Sequence, residues 1–359
     1  MATSFKGLHG KDTTTTKTLL HESLPITGTL VSGTYAGGLE SAANVRTFSH
    51  GMFQSYYDYP YLSSSANHVF DLTVGISSGS GAGTYTQNAK KVNVYSQMAQ
   101  VLMGHDATGS IQRFDEDGDI VAGGTKLDQC VFINFSRLLT KDEIKKESVS
   151  FQFLTGGHGT GSVKTGIRTV VDASASTNYR VNSPAGEYGI LYDQYTTTKL
   201  GLVFYQAGVA VLTASVFTNL SSAVGAHTTH NATSQLASNA NDFNIHSAND
   251  VLTGSTMDQA ATAIRSRIYN MQFNNTTELN SSIYFCRANH NEFNYSSNPT
   301  YLTGSKIRVK ENAQDRPSSY ITTVGLYSAD NQLLAVAKLS EPLKKTPETE
   351  LTLKVRLDY

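Results

Sequence analysis

Charge is scarce in this sequence. Asp, Glu, Lys and Arg make up 16% of the 359 residues, against roughly a quarter in an ordinary globular domain. They almost cancel, leaving a formal net charge of −1. That balance supplies neither the basic footprint that nucleic acid requires nor a polybasic membrane patch, so neither partner is expected. Tryptophan is absent and there are only two cysteines. Cys130 (QCVFINF) and Cys286 (IYFCRA) stand far apart in apolar-rich segments. This reads as two buried thiols and not a disulfide, as in a reducing cytoplasm. The N-terminal residues MATSFKGLHGKDTTTTK lack the apolar stretch of a secretory signal. Long uncharged apolar runs are missing too, except Leu200–Phe217 (LGLVFYQAGVAVLTASVF). Gln206-Ala207-Gly208 interrupts it, and Val, Phe, Tyr and Thr dominate both halves. Two buried strands joined by a Gly-containing turn explain it better than a spanning helix, and no membrane insertion is expected.

Ser, Thr, Asn and Gly fill the space that charge leaves, together with 19 Tyr. Many hydroxyls and short apolar runs favour sheet over helix. The segment from Tyr320 to Tyr359 carries the clearest pattern. Tyr320, Thr322, Val324 and Leu326 share one face of a first strand, and Ser328–Asn331 turns the chain. Leu333–Leu339 returns, Pro342–Glu348 forms a charged loop, and Leu351, Leu353, Val355 and Leu357 alternate with Thr352, Lys354, Arg356 and Asp358. Alternation of period two predicts one buried face and one wet face. Further strands are expected at His68–Val74, Asp128–Phe135, Ser148–Leu154, Gly186–Tyr192 and Ser281–Arg287. Helices are expected over Lys90–Met103, closed by Gly104, at a Thr140/Glu143 capping box, and from Ser255. In that last helix Met257, Ala260, Ala261, Ile264 and Ile268 recur at helical spacing, but Tyr269, Met271 and Phe273 then alternate as in a strand. Pro60 excludes a central strand from the Tyr-rich run Ser55–Ser65. No fixed-period repeat is visible.

The expected fold is therefore mainly β, with β-sandwich-like domains, a few short helices and an extended N-terminal arm. The expected divisions are an arm over 1–30, a β-rich domain with one or two helices over 31–150, and a second β-rich domain over 151–300. The second contains a long polar surface loop, 215–254, poor in large apolar residues. A three-strand C-terminal unit, 301–359, stands alone or belongs to the preceding domain.

Four segments invite a chemical reading. Asp115, Glu116, Asp117 and Asp119 (FDEDGDI) suggest a calcium loop, but its sixth and twelfth positions are Ile120 and Lys126 instead of Gly and Glu. An acidic turn set by Gly118 is the simpler reading, with a looser oxygen-ligand site as its rival. His227 and His230 have no third zinc ligand in sequence. Gly156–Gly166 is Gly-rich, yet Val163 precedes Lys164 where a phosphate loop has Gly. Gly75-Ile76-Ser77-Ser78-Gly79 matches G-x-S-x-G in letters only, since more Gly and Ser follow where a helix must start. No catalytic residue, cofactor or metal is therefore assigned, and the chain is not expected to be an enzyme. Two interface candidates remain. Tyr56, Tyr57, Tyr59 and Tyr61 offer large contact area at low entropy cost. Leu351, Leu353, Val355 and Leu357 lie on a strand that completes a sheet within the chain or augments a neighbour's.

Several long strings resemble one family. NNTTELNSSIYFCRANHNEFNYSSNPTY and YITTVGLYSADNQLLAVAKLSEPLKKTPETELTLKVRLDY are similar to virion structural proteins of tailed bacteriophages. The likeness is greatest to large contractile-tailed phages, notably those infecting marine cyanobacteria. HESLPITGTL, FSHGMFQSYYDYPYLSSSANHVFD, LLTKDEIKKESVSFQF and GLVFYQAGVAVLT resemble the same group. The resemblance covers most of the chain, least so Ser215–Gly254, and it carries over no catalytic residue. It implies a non-enzymatic structural subunit, most fittingly of the tail baseplate. It also implies assembly in host cytoplasm, other virion proteins as partners, and a symmetric homo- or hetero-oligomer. A capsid, neck or head-decoration protein is the alternative within the same particle. A receptor- or glycan-binding tail protein is the other.

Overall fold

The computed structural model describes residues 5–26, 43–79, 88–119, 124–154, 167–217, 252–253, 255–265, 268–296, 301–303, 306–307, 312 and 314–359. The fold is mainly β, with 47% of the described residues in strands and 15% in helices, so sheet dominates as composition predicts. Its first elements are β1 (Thr13–Pro25), β2 (Val45–Thr47), β3 (Gln54–Tyr57), β4 (His68–Ile76) and α1 (Asn88–Leu102). Next come β5 (Gln129–Phe135), α2 (Arg137–Thr140), β6 (Glu143–Ile144), β7 (Ser150–Leu154) and β8 (Ile167–Val171). They are followed by β9 (Tyr188–Asp193), β10 (Lys199–Phe204), β11 (Val209–Thr213), α3 (Met257–Arg265) and β12 (Ile268–Ala288). The last are β13 (Leu302–Thr303), β14 (Lys306–Ile307), β15 (Ser319–Tyr327), β16 (Leu333–Lys345) and β17 (Leu351–Asp358).

One large sheet has the order β1-β12-β7-β8-β9-β10-β11-β5-β4-β3-β2, with β6 and β17 also paired to β12. Two hairpins, β13–β14 and β15–β16, stand as separate two-stranded sheets. The chain divides into two compact units, Leu20–Thr277, and Met1–Leu19 with Glu278–Tyr359. Strands β1 and β12 contribute to both.

The larger unit holds the apolar core. The expected hairpin forms as β10 and β11, with Leu202↔Val211 and Phe204↔Val209 in register. Its turn ends at Gly208, whose φ of +68° suits glycine, and Thr140 packs against the position a Cβ would take. β11 pairs β5 (Val211↔Phe132), and β5 pairs β4 (Leu72↔Ile133, Val74↔Val131). Phe135 of β5 lies 4.9 Å from Phe273 of β12 and 5.7 Å from Phe151 of β7, ring to ring. β7 and β5 are far apart in strand order, so the sheet folds back and encloses one core between its faces, in the manner of a sandwich. α1 and α3 pack against β4.

Local signals explain most of these boundaries. Thr256 and Gln259 form a reciprocal cap at the start of α3. The Gln259 amide N–H donates to Thr256 Oγ1 at 3.1 Å, and the Thr256 N–H donates to Gln259 Oε1 at 2.9 Å. The box expected at Thr140/Glu143 is a correction: Thr140 ends α2, Lys141 turns with φ +54°, and Glu143 begins β6. Most of the polar loop expected at 215–254, residues 218–251, lies outside the described residues. Val216, Phe217 and Leu252 at its described ends are buried in the core. The ambiguous stretch after Ile268 is strand, because β12 runs on for 21 residues.

The smaller unit follows a different pattern. β17 alternates as expected: Val355 is buried, Leu351, Leu353 and Leu357 are half-buried, and Thr352, Lys354, Arg356 and Asp358 are exposed. Its partner is β12, from Ala288↔Leu351 to Ser281↔Asp358, so it pairs within the chain and not with the β15–β16 hairpin. β16 runs through the loop expected at Pro342 because Ile321↔Leu343 and Ser319↔Lys345 extend the hairpin. Among described residues, no helix is long and apolar enough to cross a membrane.

Candidate functional site

The acidic turn brings Asp115, Asp117 and Asp119 together, with one carboxylate oxygen from each within 4.8 Å of the others. Gly118 (φ +68°) bends it, and its carbonyl accepts from the Tyr188 hydroxyl at 3.1 Å. Asp115 is fully buried and its pKa is raised, chiefly by burial. Lys126 forms an ion pair with Asp115, and Lys199 lies 3.9 Å from Asp117. Two lysines thus share the negative charge that a hard cation would need. Ser77 is buried, and its hydroxyl donates to Asp128 Oδ1 at 2.7 Å. It is not lifted toward substrate as a nucleophile requires. His227, His230 and Gly156–Gly166 lie outside the described residues. Of the cysteines, Cys130 is buried, whereas Cys286, expected to be buried, is half-buried.

The tyrosine cluster splits. Tyr56 is a core residue: its ring stacks on Phe70 at 4.5 Å and its hydroxyl donates to Gln54 Oε1 at 2.8 Å. Alternation along β3 turns it inward. Tyr57 is half-buried against His68, while Tyr59 and Tyr61 are 47% and 38% exposed. Asp58 fixes this loop, accepting from the N–H groups of Tyr59 at 2.8 Å and Asn67 at 2.6 Å. Burial acts to raise its pKa, but the Asn67 and Tyr59 hydrogen bonds outweigh it and hold the carboxyl below its ordinary value.

The larger unit also contains buried polar groups, most of them hydrogen-bonded within the fold; Asn88 Nδ2 and Arg168 Nε have no hydrogen-bond partner among the described residues. Asp172 accepts from the N–H groups of Glu147 (2.8 Å) and Val149 (3.0 Å) and from the Tyr205 hydroxyl (3.2 Å). Burial pushes its pKa up to about 7. Tyr205 passes over Gly189, where a Cβ would lie 2.0 Å from the hydroxyl oxygen. Arg168 Nε lies 3.2 Å from Asp193 Oδ2, and its Nη1 donates to the Ser215 and Val216 carbonyls. The Lys91 ammonium is buried, donates to Asn88 Oδ1 and to the Leu252 and Ser255 carbonyls, and has its pKa pushed down to about 8 by burial. These groups tie segments together.

The smaller unit gathers exposed apolar side chains on one hairpin. Tyr327, Leu333, Leu334 and Val336 of the β15–β16 hairpin are exposed, Leu334 by 67%. Phe5 meets Tyr327 edge-on at 4.9 Å and is itself exposed. Polar clamps do much of the holding. The buried Lys345 ammonium donates to the His290 carbonyl (3.2 Å), Asn294 Oδ1 (2.8 Å) and the Thr346 carbonyl (2.8 Å), and burial lowers its pKa. Arg356 bridges Asp358 (2.7 Å) and Ser281 (3.1 Å) across β17 and β12. The patterned leucines of β17 were visible in sequence. The Tyr320–Leu339 hairpin was legible as two strands, but its exposed apolar residues were not among the interface candidates, although the signal is plain: from Ser319 to Tyr327 there is no charged residue.

No protein-family model, curated protein or solved structure matches this chain.

Proposed function

We propose that this chain is a non-enzymatic structural subunit that works by protein–protein assembly in a tailed-phage virion, most fittingly at the tail baseplate. The observation that carries the assembly reading is the surface of the smaller unit. It displays Leu333, Leu334, Val336, Tyr320 and Tyr327 on a two-stranded hairpin. A two-stranded sheet is marginal alone in water, and clustered apolar side chains on open strands are what partner chains cover. The phage assignment rests on the sequence resemblance, and the reading places the protein in the particle after assembly in host cytoplasm. Imaging of the intact particle tests it. Ordered copies in the tail, with the smaller unit against neighbouring chains, are expected; absence of the chain from the particle overturns the reading. Hundreds of copies on the shell would favour a capsid or decoration role instead.

A second reading, receptor or glycan binding, is favoured by the loop that Asp58 holds with Tyr59 and Tyr61 outward. Exposed aromatic rings stack on apolar sugar faces as readily as on protein. Retention on host surface polysaccharide that is lost in the Tyr59→Ala, Tyr61→Ala double variant would support it.

A further inference from the structure

β15 is an unprotected edge. It pairs with β16 on one side and, among the described residues, with nothing on the other. Natural sheets guard such edges with charge, proline and bulges. The longer edge strands carry these guards: Lys17, Glu22 and Pro25 on β1, Lys354, Arg356 and Asp358 on β17, and Lys338, Glu341, Pro342 and Lys344 on β16. β15 (SYITTVGLY) has no charge and no proline. The irregularities of the hairpin also fall on its partner. Between Ile321↔Leu343 and Thr323↔Lys338, residues Leu339–Pro342 oppose the single residue Thr322, and Leu334 is extra near Leu326↔Ala335 and Tyr327↔Leu333. The inserted residues thus lie on β16, while burial along β15 changes phase where Thr322 and Thr323 are both exposed; β15 itself carries no extra residue on its free edge for another strand to accommodate.

We infer that the free edge of β15 pairs antiparallel with β15 of a second copy of this chain, about a two-fold axis at Thr323. In a two-fold antiparallel pair one residue faces itself and its neighbours pair symmetrically around it. On β17 this sets like charges together: centring on Arg356 opposes Arg356 to itself, and centring on Val355 opposes Lys354 to Arg356. On β15, centring on Thr323 overlaps the whole strand without charge. The pairs are Ser319↔Tyr327, Tyr320↔Leu326, Ile321↔Gly325, Thr322↔Val324 and Thr323↔Thr323. Aromatic–aliphatic and Thr–Thr pairs are favourable cross-strand neighbours. One strand pair buries less than the roughly 1,200 Å² of a stable interface, so the contact is weak in dilute solution and forms at the high local concentration of an assembly. The inference rests on the assembly reading and names one partner within it.

Oxidative cross-linking of the full chain tests it. Cross-strand partners lie about 4.5–5.5 Å apart at Cα, within disulfide reach. In a Cys286→Ser background, Thr323→Cys is expected to give a disulfide-linked dimer. Tyr320→Cys is expected to stay monomeric, since its two copies would stand roughly 20 Å apart along the strands. Thr323→Lys is expected to remove concentration-dependent dimerisation in sedimentation while leaving the melting temperature unchanged. No dimer from Thr323→Cys, or equal cross-linking at both positions, overturns the inference. So does cross-linking from position 323 in the particle to a different protein and never to itself. Those results leave the assembly reading standing, whereas absence of the chain from the particle removes that reading whatever the purified protein does.

Discussion

In the larger unit Phe132, Phe151, Phe153, Phe204 and Tyr205 are wholly enclosed, whereas the buried apolar residues described in the smaller unit are Ala288, Leu326 and Val355. The two units use the same alternating strands to different ends. In the larger one the sheet folds over and both faces of β5, β10 and β11 are covered. In the smaller one alternation gives one half-covered face, and polar clamps at Lys345 and Arg356 supplement it. Burial of a large apolar side chain stabilises by about 1.5–3 kcal/mol, so the larger unit has many such contributions and the smaller has few. The difference teaches that a clean strand pattern does not imply a filled core; under the proposed function, the apolar faces left open are the ones other chains cover.

Truncation in each unit probes this contrast most strongly. Phe132→Ala is expected to lower stability by about 3–5 kcal/mol, whereas Leu334→Ala on exposed β16 changes it by less than about 0.5 kcal/mol. Equal losses in denaturant titrations would break the comparison. Acidity comes next. The native pKa of Asp172 is about 7, above the ordinary 3.8, so the folded state binds this proton more tightly than the unfolded state. Its contribution to stability is present below about pH 4 and is lost as pH rises through about 7. The expected size is a few kcal/mol. Asp172→Asn should flatten that slope in melts recorded from pH 4 to 8; an unchanged slope contradicts the assignment. Lys345→Met leaves the His290 and Thr346 carbonyls without their donor and is expected to cost about 1–3 kcal/mol. The loss should appear as faster amide exchange over 290–294 and not in β4 or β5. The smallest expected effect on folding is that of Leu334→Ser with Val336→Ser. Their melting temperature should match the parent, while incorporation into particles falls.

Much of the larger unit was legible because its signals are local. The uncharged run at 200–217 with its Gly turn, the span of α1 before Gly104 and the strands from His68, Asp128 and Ser148 each follow from signals within one segment. What stayed hidden depends on distant partners. β17 showed its alternation but not its pairing with β12. Tyr56 looked like a surface ring until β4 brought Phe70 onto it. Thr140 had the letters of a helix cap, but Lys141 turns out of the helix and Glu143 enters the sheet. The candidate interface was half visible. The Tyr59 and Tyr61 loop was expected, yet the β15 edge escaped notice because its signal is a missing charge.

The central claim is that the larger unit is complete in itself and that the smaller one is completed by partners. Hydrogen exchange on the isolated chain and on the assembled particle measures this directly. The account predicts slow exchange in β4, β5, β10 and β11 in both states. In β15 and β16 it predicts fast exchange in the isolated chain and strong protection after assembly. Protection of β15 and β16 in the isolated chain equal to that of β5, with no change on assembly, would contradict it.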